Sequence, residues 1–99
     1  MVKETSLYND LKKIVDSGTD LKDELNAITE YIYKKYNLRS YFCKIFASRW
    51  SFFAGDNDIY LSVKRFKISN EFGLIIEDKN VENEKVEILI KNLKLLLKN

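Results

Sequence analysis

The hydrophobic residues of this chain recur with two different periods. Up to residue 36, and again from residue 81, they return every three or four positions, which is the period of a helix with one buried face. Between these segments they alternate or form short runs rich in aromatic and β-branched residues, as strands do. The pattern predicts two helices, four strands and a last helix, in the order α-α-β-β-β-β-α.

The first predicted helix begins at a polar cap and ends at a glycine. Thr5 or Ser6 can accept the hydrogen bonds of its first turn, and Gly18 can adopt the positive φ that ends a helix. We expect residues 1–4, which precede this cap, to be frayed. The apolar stripe of this helix consists of Leu7, Leu11, Ile14 and Val15.

The second and third predicted helices also carry one apolar stripe each. Thr19 or Asp20 caps the second helix, and Asn37 ends it because asparagine tolerates the left-handed conformation. Its stripe consists of Leu21, Leu25, Ile28 and Ile32. The last helix covers residues 81–97, and its wider stripe consists of Val86, Leu89, Ile90, Leu93, Leu96 and Leu97.

Residues 40–55 hold the densest group of aromatic side chains in the chain. Two strands are predicted here, at residues 41–47 and 50–54, with the polar residues 48–49 as the break between them. Both strands carry apolar residues on both sides. One side is therefore expected to face helices, and the other to meet a ligand, a partner chain or a lid.

Two further strands complete the predicted sheet. A strand at residues 59–66 places Ile59, Leu61 and Val63 toward the core and Lys64 away from it, and the short apolar run at residues 72–77 is the fourth strand. The glycine and Asp/Asn residues of the turn at 55–58 predict a hairpin between the second and third strands. The 99 residues are predicted to form one α+β domain, with a four-stranded antiparallel sheet and all helices on one face.

Charge and cysteine content exclude several classes of function. The chain has 17 Lys and Arg residues, 15 Asp and Glu residues, no His and one Cys, for a net charge of +2. Without histidine, Ser-His, Cys-His and His-ligated metal chemistry is excluded. Cys43 lies among apolar strand residues, where a small buried side chain is expected rather than a reactive thiol. We expect a non-enzymatic protein without metal or cofactor.

The sequence predicts a cytoplasmic domain that does not bind membranes. The first residues contain no apolar run of the kind found in signal peptides, and no segment approaches the length of a membrane-spanning helix. A lone cysteine excludes an internal disulfide and fits a reducing compartment.

The two ends of this element order resemble the two ends of a GAF domain, a family of small regulatory and ligand-sensing modules. Residues 20–46 resemble the first helix of the family and the strand after it. Residues 72–77, with the sequence FGLIIE, resemble its Gly-hydrophobic-hydrophobic strand, and residues 60–67 resemble the strand before that one. Residues 81–97 resemble its closing helix, which often dimerises. The resemblance implies a GAF-like fold and a regulatory, signalling role.

The chain departs from this family where the ligand pocket is expected. Family members carry an extra strand and helices between the first hairpin and the last two strands, and these segments wall a pocket for cyclic nucleotides, tetrapyrroles or other small ligands. Here only residues 55–58 fill that place. We therefore expect a truncated GAF domain without the pocket lid, in which the sheet face opposite the helices is open. An open apolar face is typical of a protein interface.

The candidate partner face combines aromatic and basic strand residues. These are Phe42, Phe46, Trp50 and Phe52, with Lys44, Arg49 and Lys64. The first hypothesis is a non-catalytic regulatory or protein-interaction module. One alternative is a small-molecule sensor with its site over the four aromatic residues, and another is a single-stranded nucleic-acid binder that also uses the three cations. The small net charge ranks nucleic acid behind a protein partner.

The helices supply a second candidate surface, for a homodimer. Leucines surround the last helix near its C-terminus, so some of them must point away from the sheet. We predict a dimer contact shared by the last and first helices, with the participating residues Leu7, Leu11, Leu93, Leu96 and Leu97.

Overall fold

The computed structural model describes residues 2–17, 20–56, 58–59, 62–78 and 83–97. Within these residues the chain forms three helices and four strands in the predicted order, which confirms the α+β fold class. The helices are α1 Val2–Val15, α2 Leu21–Tyr36 and α3 Asn83–Leu97. The strands are β1 Ser40–Phe46, β2 Arg49–Gly55, β3 Val63–Lys67 and β4 Phe72–Glu77.

Local hydrogen bonds define both ends of α2. The Asp20 carboxylate accepts the Asp23 N–H at 2.9 Å, so Asp20 is the N-cap. At the other end, Asn37 adopts the left-handed conformation with a φ of 57° and donates its N–H to the Tyr33 carbonyl. The sequence predicted that Asp20 could cap α2 and that Asn37 would end it, and both predictions are confirmed.

Helix α1 begins earlier than predicted. It starts at Val2, so the expected cap at Thr5 or Ser6 is wrong, whereas the expected fraying of residues 1–4 stays a prediction. No glycine or proline interrupts this stretch, and helical hydrogen bonding therefore continues through it. Gly18 and Thr19, the predicted stop and the alternative cap, lie outside the described residues.

The sheet is antiparallel throughout, with the strand order β2-β1-β4-β3. Strands β1 and β4 are central, and β2 and β3 form the two edges. Cys43 in the middle of β1 lies opposite Phe52 of β2 on one side and opposite Gly73 of β4 on the other. This register determines which side chains share each face of the sheet.

The predicted hairpin at residues 55–58 is wrong, because β2 and β3 lie at opposite edges of the sheet. The turn chemistry itself is present, since the Asp58 N–H donates to the Asp56 carboxylate at 2.9 Å. The hairpins instead join β1 to β2 through a turn at Ala47, where φ is 55°, and β3 to β4 through residues 68–71.

The helices pack on one face of the sheet and enclose one core. Helix α2 lies against β1 and β2, and α1 packs against both α2 and α3. The helices contribute the buried residues Leu7, Leu11, Leu25, Ile28, Ile32, Leu89, Ile90 and Leu93. The sheet contributes Phe42, Ala54, Phe72, Leu74 and Ile76. Each large apolar side chain buried in this way stabilises the fold by about 1.5–3 kcal/mol, so this core attaches the helices to the sheet.

Strand β3 begins at Val63, later than predicted, and turns a different side toward the helices, while Leu61 lies outside the described residues. Phe66 packs against the core, whereas Val63 is 39% exposed on the opposite face. The prediction that Val63 faces the core and Lys64 faces away from it is therefore wrong. Pairing with β4 places Phe66 opposite the fully buried Leu74, and this register fixes the faces of β3.

Candidate partner-binding face

The sheet face opposite the helices, which we call the uncovered face, is built by alternate residues of all four strands. These residues are Tyr41, Cys43, Ile45, Trp50, Phe52, Val63, Arg65, Lys67, Gly73, Ile75 and Glu77. Among the described residues, the core cluster that joins the three helices to the sheet includes none of them. The uncovered face is therefore a separate surface layer.

A β-bulge decides which aromatic residue of β2 reaches the uncovered face. The pairing of β1 with β2 changes register between Phe42 and Cys43, and this leaves Phe53 as an extra residue in β2. Phe53 packs on the helix side, where its ring centre lies 5.8 Å from that of Phe72. Its neighbour Phe52 consequently points to the uncovered face.

The Trp50 indole reaches from the edge strand β2 across β1 to the central strand β4. Trp50 is paired with Ile45, but its ring occupies the space that a side chain at Gly73 would need, since a Cβ there would collide with Cζ3 and Cη2 of the indole. The Arg65 guanidinium approaches from β3 and lies 5.9 Å from the ring centre, within the range of a cation–π contact. Side chains from both edges thus meet over the centre of the sheet.

A second aromatic contact lies beside the first. The rings of Tyr41 and Phe52 are 5.5 Å apart between centres and inclined by 51°, which is a favourable tilted arrangement. Phe52 is nevertheless 48% exposed, and Tyr41 is half-buried. Burial raises the pKa of the Tyr41 phenol, and the nearby Arg65 cation opposes this shift only in part. The phenol is therefore neutral at physiological pH.

Cys43 lies at the centre of this face and is 4% exposed. Burial raises the pKa of its thiol, and the positive charge of Arg65 counteracts the shift without reversing it. The thiolate, which is the nucleophilic form, is thus disfavoured at neutral pH. The prediction that Cys43 is a small buried side chain is confirmed.

Charge is distributed unevenly between the strands and the rest of the described chain. The strands contain the basic residues Lys44, Arg49, Lys64, Arg65 and Lys67. Their one acidic residue, Glu77, is buried, and its carboxylate accepts the Arg39 N–H at 2.6 Å. Arg65 and Lys67 are exposed on the uncovered face. This surface therefore combines accessible aromatic rings with positive charge.

Two of the predicted partner-face residues, Trp50 and Phe52, lie on the uncovered face. Phe42 does not, and its prediction is wrong, because it is completely buried in the core under the helices. Strand alternation is the physical reason: Tyr41 and Cys43 point to the uncovered face, so the residue between them points to the helices.

The other predicted partner-face residues have the register of the helix side, and they are Lys44, Phe46, Arg49 and Lys64. Phe46 is 68% exposed where β1 ends. The Lys44 ammonium lies 4.8 Å from the centre of the Phe53 ring, and the Lys64 ammonium lies 3.8 Å from the Asp78 carboxylate. These residues do not join Trp50 and Phe52 in one surface.

The predicted set of partner-face residues left out three residues that shape the uncovered face: Tyr41, Arg65 and Gly73. The spacing of two residues between Val63, Arg65 and Lys67 was available in the sequence as a signal that they share a face. No comparable signal existed for Gly73, because its role depends on a tryptophan from a strand that is not its neighbour in the sheet.

The predicted dimer residues are mostly part of the protomer core. Leu7, Leu11 and Leu93 are at most 2% exposed, so they cannot contact a second copy and their prediction is wrong. Leu96 and Leu97 are half-buried and pack against the same core. Leu95, which was not in the predicted set, is 56% exposed. The apolar stripe of α3 packs into the core of the protomer. Leu95 lies outside this core.

A cleft of about 450 Å³ lies where α2 passes the end of β2. Its walls include Thr29, Tyr33 and Lys34 from the helix and Asp56 after the strand. The Asn26 side-chain oxygen crosses it and accepts the Gly55 N–H at 2.8 Å. This hydrogen bond ties α2 to the edge strand, and the cleft is explained by that packing.

Comparison with known proteins adds no family. No protein-family model, no curated protein and no solved structure matches this chain. In the described part of the chain, no three His, Cys, Asp or Glu side chains are grouped so that they could hold a metal ion. None of the described helices has the length and apolar character needed to cross a membrane. The GAF resemblance stays a prediction.

Proposed function

We propose that this chain is a non-catalytic interaction module that binds its partner on the uncovered face of the sheet. The observation that carries the proposal is the combination of Phe52, 48% exposed, and Val63, 39% exposed, with the half-buried Tyr41 and Trp50 on one sheet face. Exposed apolar side chains on a sheet face that no described helix covers mark a candidate interaction site, and aromatic residues and arginine are enriched in such sites.

The chemistry of the same face supports a binding role over a catalytic one. The only thiol on it, Cys43, is buried and held in its neutral form, and Glu77 is committed to the Arg39 backbone. What this face offers are flat apolar surfaces and cations, which recognise a partner without activating a nucleophile. A regulatory, signalling role is the part of the proposal that rests on the GAF resemblance, and a cytoplasmic location is the part that rests on the lone cysteine.

Retention of partners by an immobilised protein tests this proposal. Wild type and the variants Phe52→Ser and Phe46→Ser are each incubated with a lysate of the organism that encodes the chain. Both phenylalanines are exposed, at 48% and 68%, so both variants are expected to fold, but only Phe52 lies on the uncovered face. We expect Phe52→Ser alone to lose the retained species. Equal retention by all three proteins contradicts the proposal.

Homodimerisation is a second candidate, and Leu95 is the observation that favours it. Leu95 lies on α3 and is 56% exposed, beside the half-buried Leu96. A dimer built through this part of α3 leaves the uncovered face free. It is therefore compatible with partner binding on the sheet.

A further inference from the structure

The strands carry a larger excess of positive charge than the net charge of the whole chain indicates. The strands carry five basic residues and one acidic residue, whereas the whole chain has 17 basic and 15 acidic residues. Arg65 and Lys67 are exposed on the uncovered face, and the carboxylate of Glu77 on the same face is buried against the Arg39 N–H. Any partner that covers this face meets cations, so charge complementarity favours an anionic partner.

The aromatic residues specify the partner further. Phe52 is exposed beside Tyr41, and the Trp50 ring lies next to the Arg65 guanidinium on a face that no described helix covers. Nucleobases stack on aromatic rings and on guanidinium planes, and phosphates accept hydrogen bonds from arginine and lysine. An extended chain of bases and phosphates fits rings and cations spread over an open sheet.

We propose that the partner is a single-stranded nucleic acid, an inference that rests on the proposed function because it names the partner of the same face. Its bases stack on Phe52 with Tyr41 and on Trp50, and its phosphates contact Arg65 and Lys67. A duplex does not fit, because its bases are already stacked on one another. A second copy of this face does not fit either, because it brings the same cations together.

Titration of a fluorescein-labelled oligothymidylate of about twelve nucleotides, a length within the usual site size of such binders, tests the proposal. Fluorescence anisotropy reports binding, and quenching of Trp50, the one tryptophan of the chain, reports contact with the face. We expect saturable binding and quenching. The logarithm of the affinity should fall with the logarithm of salt by about 0.7 for each phosphate engaged.

Two matched pairs of variants locate the site. Arg65→Gln should reduce the salt slope by about 0.7, whereas Lys64→Gln, the neighbouring cation on the other side of β3, should not change it. Phe52→Leu should weaken binding roughly tenfold because the stacking surface is lost. Phe46→Leu, at an exposed phenylalanine on the helix side of the sheet, should bind as wild type does.

Several results would overturn the assignment. They are no anisotropy change at low salt, equal affinity for a duplex of the same length, displacement of the oligonucleotide by a thymidine monophosphate at similar concentration, and equal losses in both members of a pair. None of them removes the proposed function, since retention of a protein partner that depends on Phe52 would still identify the uncovered face as an interaction site. Loss of both signals would remove both proposals.

Discussion

Gly73 shows how one residue makes room for the candidate site. Glycine inside a strand normally costs about 0.5–1 kcal/mol relative to alanine, so Gly73→Ala would be expected to stabilise an ordinary strand. Here a Cβ would collide with the Trp50 indole, which lies over the glycine. We expect overpacking to dominate and Gly73→Ala to lower the free energy of unfolding by about 1–3 kcal/mol, as measured by urea denaturation.

A double-mutant cycle isolates the collision. Trp50→Leu shortens the side chain that occupies the space above Gly73, so in that background Gly73→Ala should cost much less than it does in the wild type. If Gly73→Ala stabilises the wild-type protein, or if the free-energy costs of the two substitutions are additive, the Trp50 indole does not require a glycine at position 73.

Tyr31 of α2 is hydrogen-bonded to Asp10 of α1, and its titration makes the stability of the protein depend on pH in the alkaline range. Its hydroxyl donates to the Asp10 carboxylate at 2.9 Å, and burial together with this bond raises the pKa of the phenol above its ordinary value of 10.0. Tyrosinate is therefore disfavoured in the folded state. The neutral Tyr31 phenol contributes its full stabilisation of the folded state below pH 10.0, and this contribution is lost as the pH rises toward the folded-state pKa.

We expect Tyr31→Phe to lower the free energy of unfolding by about 1 kcal/mol at neutral pH and to flatten its decline above pH 10.0. Urea denaturation at a series of pH values measures both effects. Asp10→Asn is the matched variant, because it keeps an oxygen acceptor but removes the charge that raises the pKa of Tyr31. An unchanged slope in Tyr31→Phe would rule out this tyrosine as the source.

At the level of the elements, local signals predicted type and order but did not determine which strands pair. The run 72–77 was predicted with the same bounds that β4 has, and Asn37 ends α2 as expected. Near residues 55–58 the Asp58 N–H donates to the Asp56 carboxylate, while Asn57 lies outside the described residues, and this local hydrogen bond does not determine which strands pair. Pairing of β1 with β4 depends on burial shared between distant parts of the chain, and the order of residues along the sequence does not contain it.

The faces of the strands were predictable only where apolar residues alternate cleanly. In β1 the alternation separates Phe42 from Tyr41 and Cys43, although the sequence alone does not say which side meets the helices. In β3 only Phe66 is large and apolar among residues otherwise mostly charged, so the periodic signal was weak and the predicted phase was wrong. The composition of the uncovered face could therefore not be assembled from the sequence.

The contribution of the Asp20 N-cap to the stability of α2 can be tested by removing its side chain. Asp20→Ala removes the carboxylate that accepts the Asp23 N–H at 2.9 Å and leaves this donor to water. We expect a loss of about 0.5–2 kcal/mol in the free energy of unfolding. Asp16→Ala is the control, since its ion pair with Lys12 is exposed at both ends and is expected to contribute little. Equal effects of the two substitutions would contradict the capping role.

For the whole molecule, the arrangement of charge and apolar surface separates two kinds of association. The uncovered face carries Arg65 and Lys67, so two copies of it repel one another. Leu95 lies on α3, outside the core and away from these cations. Self-association is therefore expected to depend on the helix and not on the sheet, which leaves the aromatic face available in either oligomeric state.

Sedimentation velocity over a range of protein concentrations tests this separation. If the chain dimerises through α3, Leu95→Lys should raise the dissociation constant by about tenfold or more, because it places a charge where the dimer would bury a leucine, a burial worth about 1.5–3 kcal/mol. Leu21→Lys changes another leucine that is 40% exposed, on α2, and should leave the dimer intact. Arg65→Gln should not weaken the dimer. A wild type that sediments only as a monomer, or a dimer that withstands Leu95→Lys, excludes α3 as the dimer contact, whereas binding on the sheet would be unaffected.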